Sequence, residues 1–424
     1  MQDRCPPAPA PQEEQRRRFL RRMAGGSLVP WLPAAALAAS PDDTARIALP
    51  PSQAPSEVPE KPSELGDPPA QRVGFAVVGL GRLSLDEILP AFGQTRHCKA
   101  VALVSGDRAK AQKVARHYGI AETAIYDYQG FDRLADNPAV QVVYIVLPNG
   151  LHAEYTVRAA RAGKHVLCEK PMANSVAECR QMIDACSRAA RQLMVAYRSQ
   201  YEPNNRLLQR WVQEKHLGRL KEFISTNAIH LGDPGQWRLK KALAGGGPLP
   251  DVGIYCINGV RFLTGEEPSE VWGDIDRPTG DPRFREVEEA ARFVLRFPSG
   301  LRATCHTSYG AHRSQFLRLL GSEGWAELDP AYAYQNLRLR GARVVGGQET
   351  HLQPSLPEVN EFAKEMDHMA QRVRDNQRPY SSGEDGLQDQ RIIEAIYESA
   401  RSGRWVKLEQ PSNPVRGAPP PAEG

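Results

Sequence analysis

Gly79-Leu80-Gly81-Arg82-Leu83-Ser84 comes directly after a six-residue β-rich run, Val73-Gly-Phe-Ala-Val-Val78. A G-x-G-x-x-small turn between a strand and a helix is suited to holding a pyrophosphate. Gly79 permits the tight turn, Gly81 lets the backbone approach a phosphate, and Ser84 stands in for the third glycine as another small residue at the helix–strand contact. The helix that follows would offer free N–H groups and the positive end of its dipole. Leu85, Leu89 and Phe92 have helical spacing, and Pro90 should kink or shorten that helix. The next strand is Ala100–Val104. NAD-binding sheets place an Asp or Glu at its end to hold the ribose 2′-hydroxyl, but here Ser105 stands there, followed by Gly106, Asp107, Arg108 and Lys110. A small hydroxyl beside cations suits a 2′-phosphate, so NADP is expected over NAD, with Asp107 as the argument for the other choice.

These residues need a parallel sheet to position them, and the sequence supplies its rhythm. Val140–Leu147 reads as a strand ending in Pro148-Asn149, with a helix starting near His152. Lys164–Cys168 is another, ending in Glu169-Lys170-Pro171. Ser175 and Glu178 form a capping box for a helix burying Val176, Met182, Ile183 and Cys186, and Leu193–Tyr197 is a further strand. Ligands bind beyond the carboxyl ends of such strands. The expected cofactor contacts are therefore Gly79, Leu80, Gly81, Arg82, Leu83, Ser105, Lys110, Leu147, Pro148, Asn149, His152, Glu169, Lys170, Tyr197 and Arg198. His152 has a plainer alternative as a helix-end histidine without a role. After residue 198 the pattern changes to alternation and turns, with strands over 220–230, 291–297, 301–307, 314–320, 324–328, 335–340 and 343–346. This half reads as an antiparallel sheet with one covered face. A final helix buries Ile392, Ile393, Ile396 and Ala400 and stops at Gly403. Trp237 and Arg238 have the character to pack on a sugar face or reach the cofactor, with core packing of Trp237 an equal alternative, and Tyr334 is a further cofactor candidate.

The fold class is thus α/β: an N-terminal Rossmann dinucleotide-binding domain, residues 73–198, and a C-terminal α+β domain, 199–408, with a large, mostly antiparallel open sheet. Residues 409–424 are Pro/Gly-rich and expected to be disordered. Ahead of the first strand, 39–72 is a Pro-rich arm that cannot be helix or central strand. Residues 1–38 read as an export signal: Arg16-Arg17-Arg18-Phe19-Leu20-Arg21, then weakly apolar and small residues, in the pattern of bacterial twin-arginine signals. The net charge of +4 falls to +1 without the six arginines and three acids of that segment, so no electrostatic footprint for nucleic acid or an acidic membrane is expected. The seven cysteines form no C-x-x-C pair, so no metal site is expected and the thiols read as small buried residues.

The segments Val78-Gly-Leu-Gly81, Tyr144-Ile-Val-Leu-Pro-Asn149, Ala162-Gly-Lys-His-Val166, Cys168-Glu-Lys-Pro-Met172, and Ala244-Gly-Gly-Gly247 with Asp251-Val-Gly-Ile-Tyr255 resemble the glucose-fructose oxidoreductase/inositol dehydrogenase (Gfo/Idh/MocA) family. The likeness covers roughly 45–408 and extends to its periplasmic, NADP-retaining glucose-fructose subgroup, which shares the signal and Pro-rich arm. It implies that Lys170 and the residue closing the D-x-G motif serve hydride chemistry. That residue is usually His in the family; here it is Tyr255, as in the glucose-fructose subgroup. The resemblance further implies oxidation of glucose to gluconolactone, reduction of fructose to sorbitol by the same cofactor, small sugars as partners, a homodimer or homotetramer built through the second sheet, and a periplasmic location.

The chemistry of these residue types agrees. Oxidising a sugar hydroxyl needs a base for its proton as hydride leaves the carbon. A phenol can act if a neighbouring ammonium favours its anion, and Lys170 is the candidate neighbour. Burial of Lys170 should lower its own pKa, so that the two share a proton. Asp251 lies four residues before Tyr255 and shares its face of a helical turn, where it orients Lys170 or accepts sugar hydroxyls. Three other readings stand beside this one: an aldose–aldose oxidoreductase, a dehydrogenase using free NADP, and a non-catalytic sugar or dinucleotide sensor.

Overall fold

The computed structural model describes residues 66–420. The export signal, all but the end of the Pro-rich arm, Cys5 and the last four residues lie outside them. Six strands form the first sheet: β1 (Val73–Val78), β2 (Cys98–Val104), β3 (Ile125–Tyr126), β4 (Val142–Ile145), β5 (His165–Glu169) and β6 (Leu193–Ala196). Their order is β3-β2-β1-β4-β5-β6, all parallel. β1, β4 and β6 are buried along their whole length, as strands covered on both faces must be. The strand order reverses between β1 and β4, which opens a crevice at their carboxyl ends.

The helix after β1 does not start as an α-helix. Ser84–Ile88 is wound as a π-helix and Leu89–Ala91 as an α-helix, together α1. The Leu89 N–H returns to the Ser84 carbonyl, five residues back. Pro90, which has no N–H to give, sits just past this widened turn. The later helices are α2 (Arg108–Tyr118), α3 (His152–Arg161), α4 (Val176–Arg188), α5 (Pro203–Gln213), α6 (Ile254–Thr264), α7 (Glu361–Arg374) and α8 (Gly383–Ser402). The capping box at α4 is incomplete. Ser175 accepts from the Glu178 N–H, but Glu178 reaches back to the N–H of Asn174 rather than of Ser175.

The second sheet holds β7 (Leu220–Ala228), β8 (Glu270–Asp276), β9 (Ala290–Arg296), β10 (Arg302–Ser308), β11 (Ser314–Gly321), β12 (Gly324–Leu328), β13 (Leu339–Val345), β14 (Gln348–Leu352) and β15 (Val406–Lys407). The order is β14-β13-β12-β11-β7-β10-β9-β8-β15. It is antiparallel except for the β7–β10 pair. The sequence expectation of a break near Gly341 is corrected. Gly341 lies inside β13, where a Cβ would meet the Trp325 carbonyl at 2.6 Å, and the hairpin turns instead at Gly346-Gly347, both with positive φ. α6 and α8 cover one face: Cys256 meets Ser225 of β7, and Ser399 accepts from the Gly273 N–H of β8.

α8 also returns the chain to the first half, where Ser381 accepts from the Val195 N–H of β6 and Met194 bridges Ser382. Between α6 and α8 lies a buried ion cluster. Arg261 is fully buried and pairs with Asp385, Asp389 and Glu267. The expectation of disorder over 409–424 fails for the described part. The Arg416 guanidinium forks onto buried Asp385, Arg378 holds the carbonyls of Pro414 and Val415, and Arg206 holds that of Pro420. Composition was misleading here because the segment is anchored by buried charge rather than by apolar burial. All six described cysteines are buried and unpaired by disulfide. No helix among the described residues is long and apolar enough to cross a membrane.

Candidate active site

Gly79 ends β1 with φ +93°, and a Cβ there would lie 2.3 Å from the Val146 carbonyl, so the turn admits no side chain. At Gly81 a Cβ would meet nothing within 4 Å; this is open space over the turn where a pyrophosphate fits. Buried Ser84 donates to the Gly79 carbonyl at 2.5 Å and closes the loop. Leu80 is buried, Leu83 half-buried, and Arg82 points to solvent, paired with Asp86 at 3.0 Å. At the end of β2, the buried Ser105 hydroxyl accepts from the Asp107 N–H, and the Asp107 carboxylate caps α2 through the Lys110 N–H at 2.9 Å. Asp107 is thus already engaged as a helix cap, while Arg108 is exposed and Lys110 half-exposed beside Ser105. The donor set fits a phosphorylated ribose better than a bare one.

Lys170 follows β5, and its ammonium donates to the Asp251 carbonyl at 2.8 Å and to Asp251 Oδ1 at 3.0 Å. Asp251 lies in a second π-wound stretch, Leu249–Gly253, which runs into α6. Its other oxygen accepts from Arg238 Nε at 2.9 Å and from the Tyr309 hydroxyl at 2.7 Å. Both oxygens are engaged, so Asp251 orients Lys170. Burial raises a carboxyl, but Lys170 and Arg238 outweigh it and hold Asp251 well below the usual range. Burial would lower Lys170, but Asp251, with Tyr255 and Glu169, holds it above the usual lysine value. The expectation of a lowered Lys170 pKa is therefore corrected: burial pulls it down, but Asp251, Tyr255 and Glu169 together outweigh burial.

Tyr255, on the first turn of α6, lies under the same ammonium, with Lys170 Nζ 4.9 Å from its ring centroid. The expected ammonium–phenol pair is also corrected in detail. The cation bonded to the phenol oxygen is Arg198, through Nε at 3.2 Å. Arg198 is itself buried.

Two other expected contacts, His152 and Glu169, have their side chains tied inside the fold. His152 is fully buried with both ring nitrogens on backbone carbonyls, Pro171 at 2.9 Å and Leu147 at 2.8 Å. It ties the loop after β4 to the loop after β5 and does not present its ring to a nicotinamide. The Glu169 carboxylate points inward to Tyr144 at 2.9 Å, whose hydroxyl also meets Glu365 at 3.1 Å. One phenol proton cannot serve two carboxylates, so one carboxyl keeps a proton; burial pushes Glu365 well up. Tyr197 is buried, Leu147 packs at Gly79, and Pro148 is half-buried. Asn149 donates to the Ala244 carbonyl at 2.9 Å and Asn174 to that of Ala242 at 3.3 Å. A Cβ on Gly150 would lie 2.4 Å from the Ala242 carbonyl, and one on Gly245, at φ +77°, would lie 2.5 Å from Asn174.

Trp237 stacks with Arg238, whose Cζ is 4.6 Å from the ring centroid. Tyr334 is exposed and covers Arg198 at 4.4 Å. Beyond it opens a cavity of about 450 Å³ lined by His230, His312, Arg313 and Gln315, within the size range of small-molecule sites. Sequence reasoning missed Tyr309, Glu361, Glu365 and Tyr144 as parts of the site. Only Tyr144 lay in a segment already singled out; nothing in the spacing of the others marks them.

A Rossmann half joined to an open-sheet half, with a lysine and a tyrosine facing one another across the crevice, defines a nucleotide-dependent oxidoreductase. Residues 73–197 match the oxidoreductase family with an NAD-binding Rossmann fold, and 205–327 match the GFO/IDH/MocA C-terminal domain. The chain belongs to the GFO/IDH/MocA oxidoreductase family. It is 32% identical over 344 residues to the D-xylose 1-dehydrogenase [NADP(+)] of Haloarcula marismortui, covering 80% of this chain and 93% of that one. A levoglucosan dehydrogenase of Pseudarthrobacter phenanthrenivorans is 28% identical over 350 residues, 71% of this chain and 87% of that one. The crystal structure of an aldose-aldose oxidoreductase from Caulobacter crescentus superposes with a TM-score of 0.77 at 44% identity, over 80% of this chain and all of that one.

Proposed function

We propose that this chain is an NADP-dependent sugar oxidoreductase that takes a hydride from an aldose and delivers it to a second sugar. The observation that carries the reading is the meeting of Lys170, Asp251 and Tyr255 beyond the end of β5, beside a turn shaped for a pyrophosphate. When bound, the nicotinamide accepts or returns the hydride. The chain's own residues handle the proton and the geometry. Tyr255 takes the proton from the sugar hydroxyl as the C–H bond breaks, and returns it to the carbonyl oxygen of the acceptor. Lys170, its charge fixed by Asp251, gives a donor for the sugar oxygen and favours negative charge on it. Tyr334 and the Trp237–Arg238 pair offer faces for a pyranose ring.

Ser105, with Arg108 and Lys110 near it, supports NADP over NAD, as does the likeness to an NADP-dependent xylose dehydrogenase. The first sugar pair to test is glucose with fructose, giving gluconolactone and sorbitol. The 44% identity to an aldose-aldose oxidoreductase favours a second reading in which the acceptor is also an aldose. Purified protein is given glucose plus fructose, or glucose plus a second aldose, with no added nucleotide. Sorbitol supports the first reading and the alditol of the second aldose supports the other. Neither product without added NADP, with NADPH formed on its addition, would leave a free-cofactor dehydrogenase. We also propose export to the periplasm, from the twin-arginine pattern at Arg16–Arg21, and a homodimer or homotetramer through the second sheet.

A further inference from the structure

Arg198 was expected at the cofactor, yet its side chain is committed elsewhere. Nε donates to the Tyr255 hydroxyl oxygen at 3.2 Å, one terminal nitrogen to the Tyr332 carbonyl at 2.9 Å, and the other to the Ala333 carbonyl at 3.3 Å and to Glu361 Oε1. Four of its five N–H groups thus have acceptors. The planar group is held between aromatic rings, 4.4 Å from the Tyr334 centroid and 5.1 Å from that of Tyr255. Phe362 lies against Tyr334 at 5.3 Å. Arg198 and Glu361 are 4% and 2% exposed, so this ion pair is shielded from solvent and held in one geometry.

The consequence is chemical. A phenol oxygen that accepts from a guanidinium must aim its own proton elsewhere. It also meets a fixed cation at the moment it carries negative charge. Lys170 does not fill this role, because two of its three donors go to Asp251 and its ammonium meets the Tyr255 ring rather than the oxygen. We propose that Arg198 is the positioning residue for the Tyr255 hydroxyl, and that Glu361 at the start of α7 is the anchor that holds Arg198 in place. The proposal rests on Tyr255 being the acid–base of the reaction. It adds a second cation, from the end of β6, to the apparatus around that phenol. Lysine could not replace it, since a point charge lacks the fork that bonds Tyr255 and Glu361 at once.

A double-mutant cycle in the intact protein tests this. Hydride transfer is followed by nucleotide absorbance in single turnovers, so that slow variants stay measurable. Tyr255→Phe alone should slow transfer by about a hundredfold or more; an unchanged rate in that variant removes the premise, separately from anything Arg198 does. Arg198→Lys should slow transfer at least about tenfold, with sugar KM and NADP affinity within about threefold of wild type. In the Tyr255→Phe background the same change should cost less than about twofold. An equal loss in both backgrounds would mean that Arg198 only supports the fold, and no loss in either would mean that it does not serve Tyr255. NADP affinity falling in step with the rate would return Arg198 to the cofactor. Each of these overturns the proposal. Glu361→Gln, run through the same cycle, should show the same background dependence and decides the question if Arg198→Lys does not fold.

Discussion

Asp251→Asn removes one charge and almost no volume, and it strikes the point where Lys170, Arg238 and Tyr309 converge. At 3.0 Å and an effective dielectric constant of about 20, the attraction between Lys170 and Asp251 is about 5.5 kcal/mol. Part of that offsets the cost of burying the lysine charge. Removing one member of such a buried pair costs about 3–5 kcal/mol, mostly because the other charge is left uncompensated. At about 2 cal/mol/K of unfolding entropy per residue, roughly 350 folded residues lose about 1.4 °C of melting midpoint per kcal/mol, so the midpoint should fall by about 4–7 °C. The functional effect has a defined sign. Asp251 raises the Lys170 pKa, so without that charge the ammonium loses its proton at lower pH. The alkaline limb of the kcat/KM profile should then move to lower pH. The assays are calorimetry and initial rates across the pH range with purified protein. A variant with an unchanged midpoint and an unchanged alkaline limb would refute the argument that Asp251 sets the charge of Lys170.

Gly79→Ala should abolish measurable nucleotide binding and cost at least about 2 kcal/mol of stability, since the new Cβ strikes the Val146 carbonyl in a backbone conformation unfavourable to alanine; nucleotide titration and urea unfolding check both. Ser105→Asp should weaken NADP by about ten- to a hundredfold, or roughly 1.4–2.7 kcal/mol, and leave NAD much less affected; equal losses for the two nucleotides would place the 2′-phosphate elsewhere. Two histidines should make the fold acid-sensitive. His165 Nδ1 accepts from the Gln192 N–H and His368 Nε2 from that of Tyr380, so both must be neutral there, and burial lowers them to about 4 and about 3. Their folded pKa values lie below the unfolded ones, so the unfolded chain binds more protons over this window. Stability should be full above about pH 6.5 and fall as pH drops towards 4; a flat urea midpoint from pH 7 to 4.5 would contradict this.

Much of the first half could be read in the sequence because a strand covered on both faces must be continuously apolar. β1 spans the six residues of the run before Gly79, and β6 follows the same rule. The two-residue β3 carries too short a pattern to stand out. In the second half, Gly341 looked like punctuation but lies within a strand, because its missing side chain makes room for Trp325 and Trp211. The Lys170–Asp251–Tyr255 group was accessible because two members share a helical turn and the third ends a strand. Arg198 and Glu361 stand 163 residues apart, and Tyr309 is 58 residues from Asp251. No local periodicity links such pairs, and only the folded chain brings them together. His152 and Glu169 were misjudged for a related reason. Their place in the motif marks a backbone junction that must be fastened from inside, and their side chains turn inward to do it.

The loop around Ala244 and Gly245 is stitched to the nucleotide-binding half by Asn149 and Asn174, a few residues from the Lys170–Asp251 link. Proteins that exchange a bound nucleotide often swing two halves apart on a flexible joint. Here such a swing would have to pull two amides off backbone carbonyls and an ammonium off its counter-ion together. The two halves are therefore held in one relative setting by polar links, and a change at Asn149 or Asn174 would loosen that joint without touching Lys170, Asp251 or Tyr255.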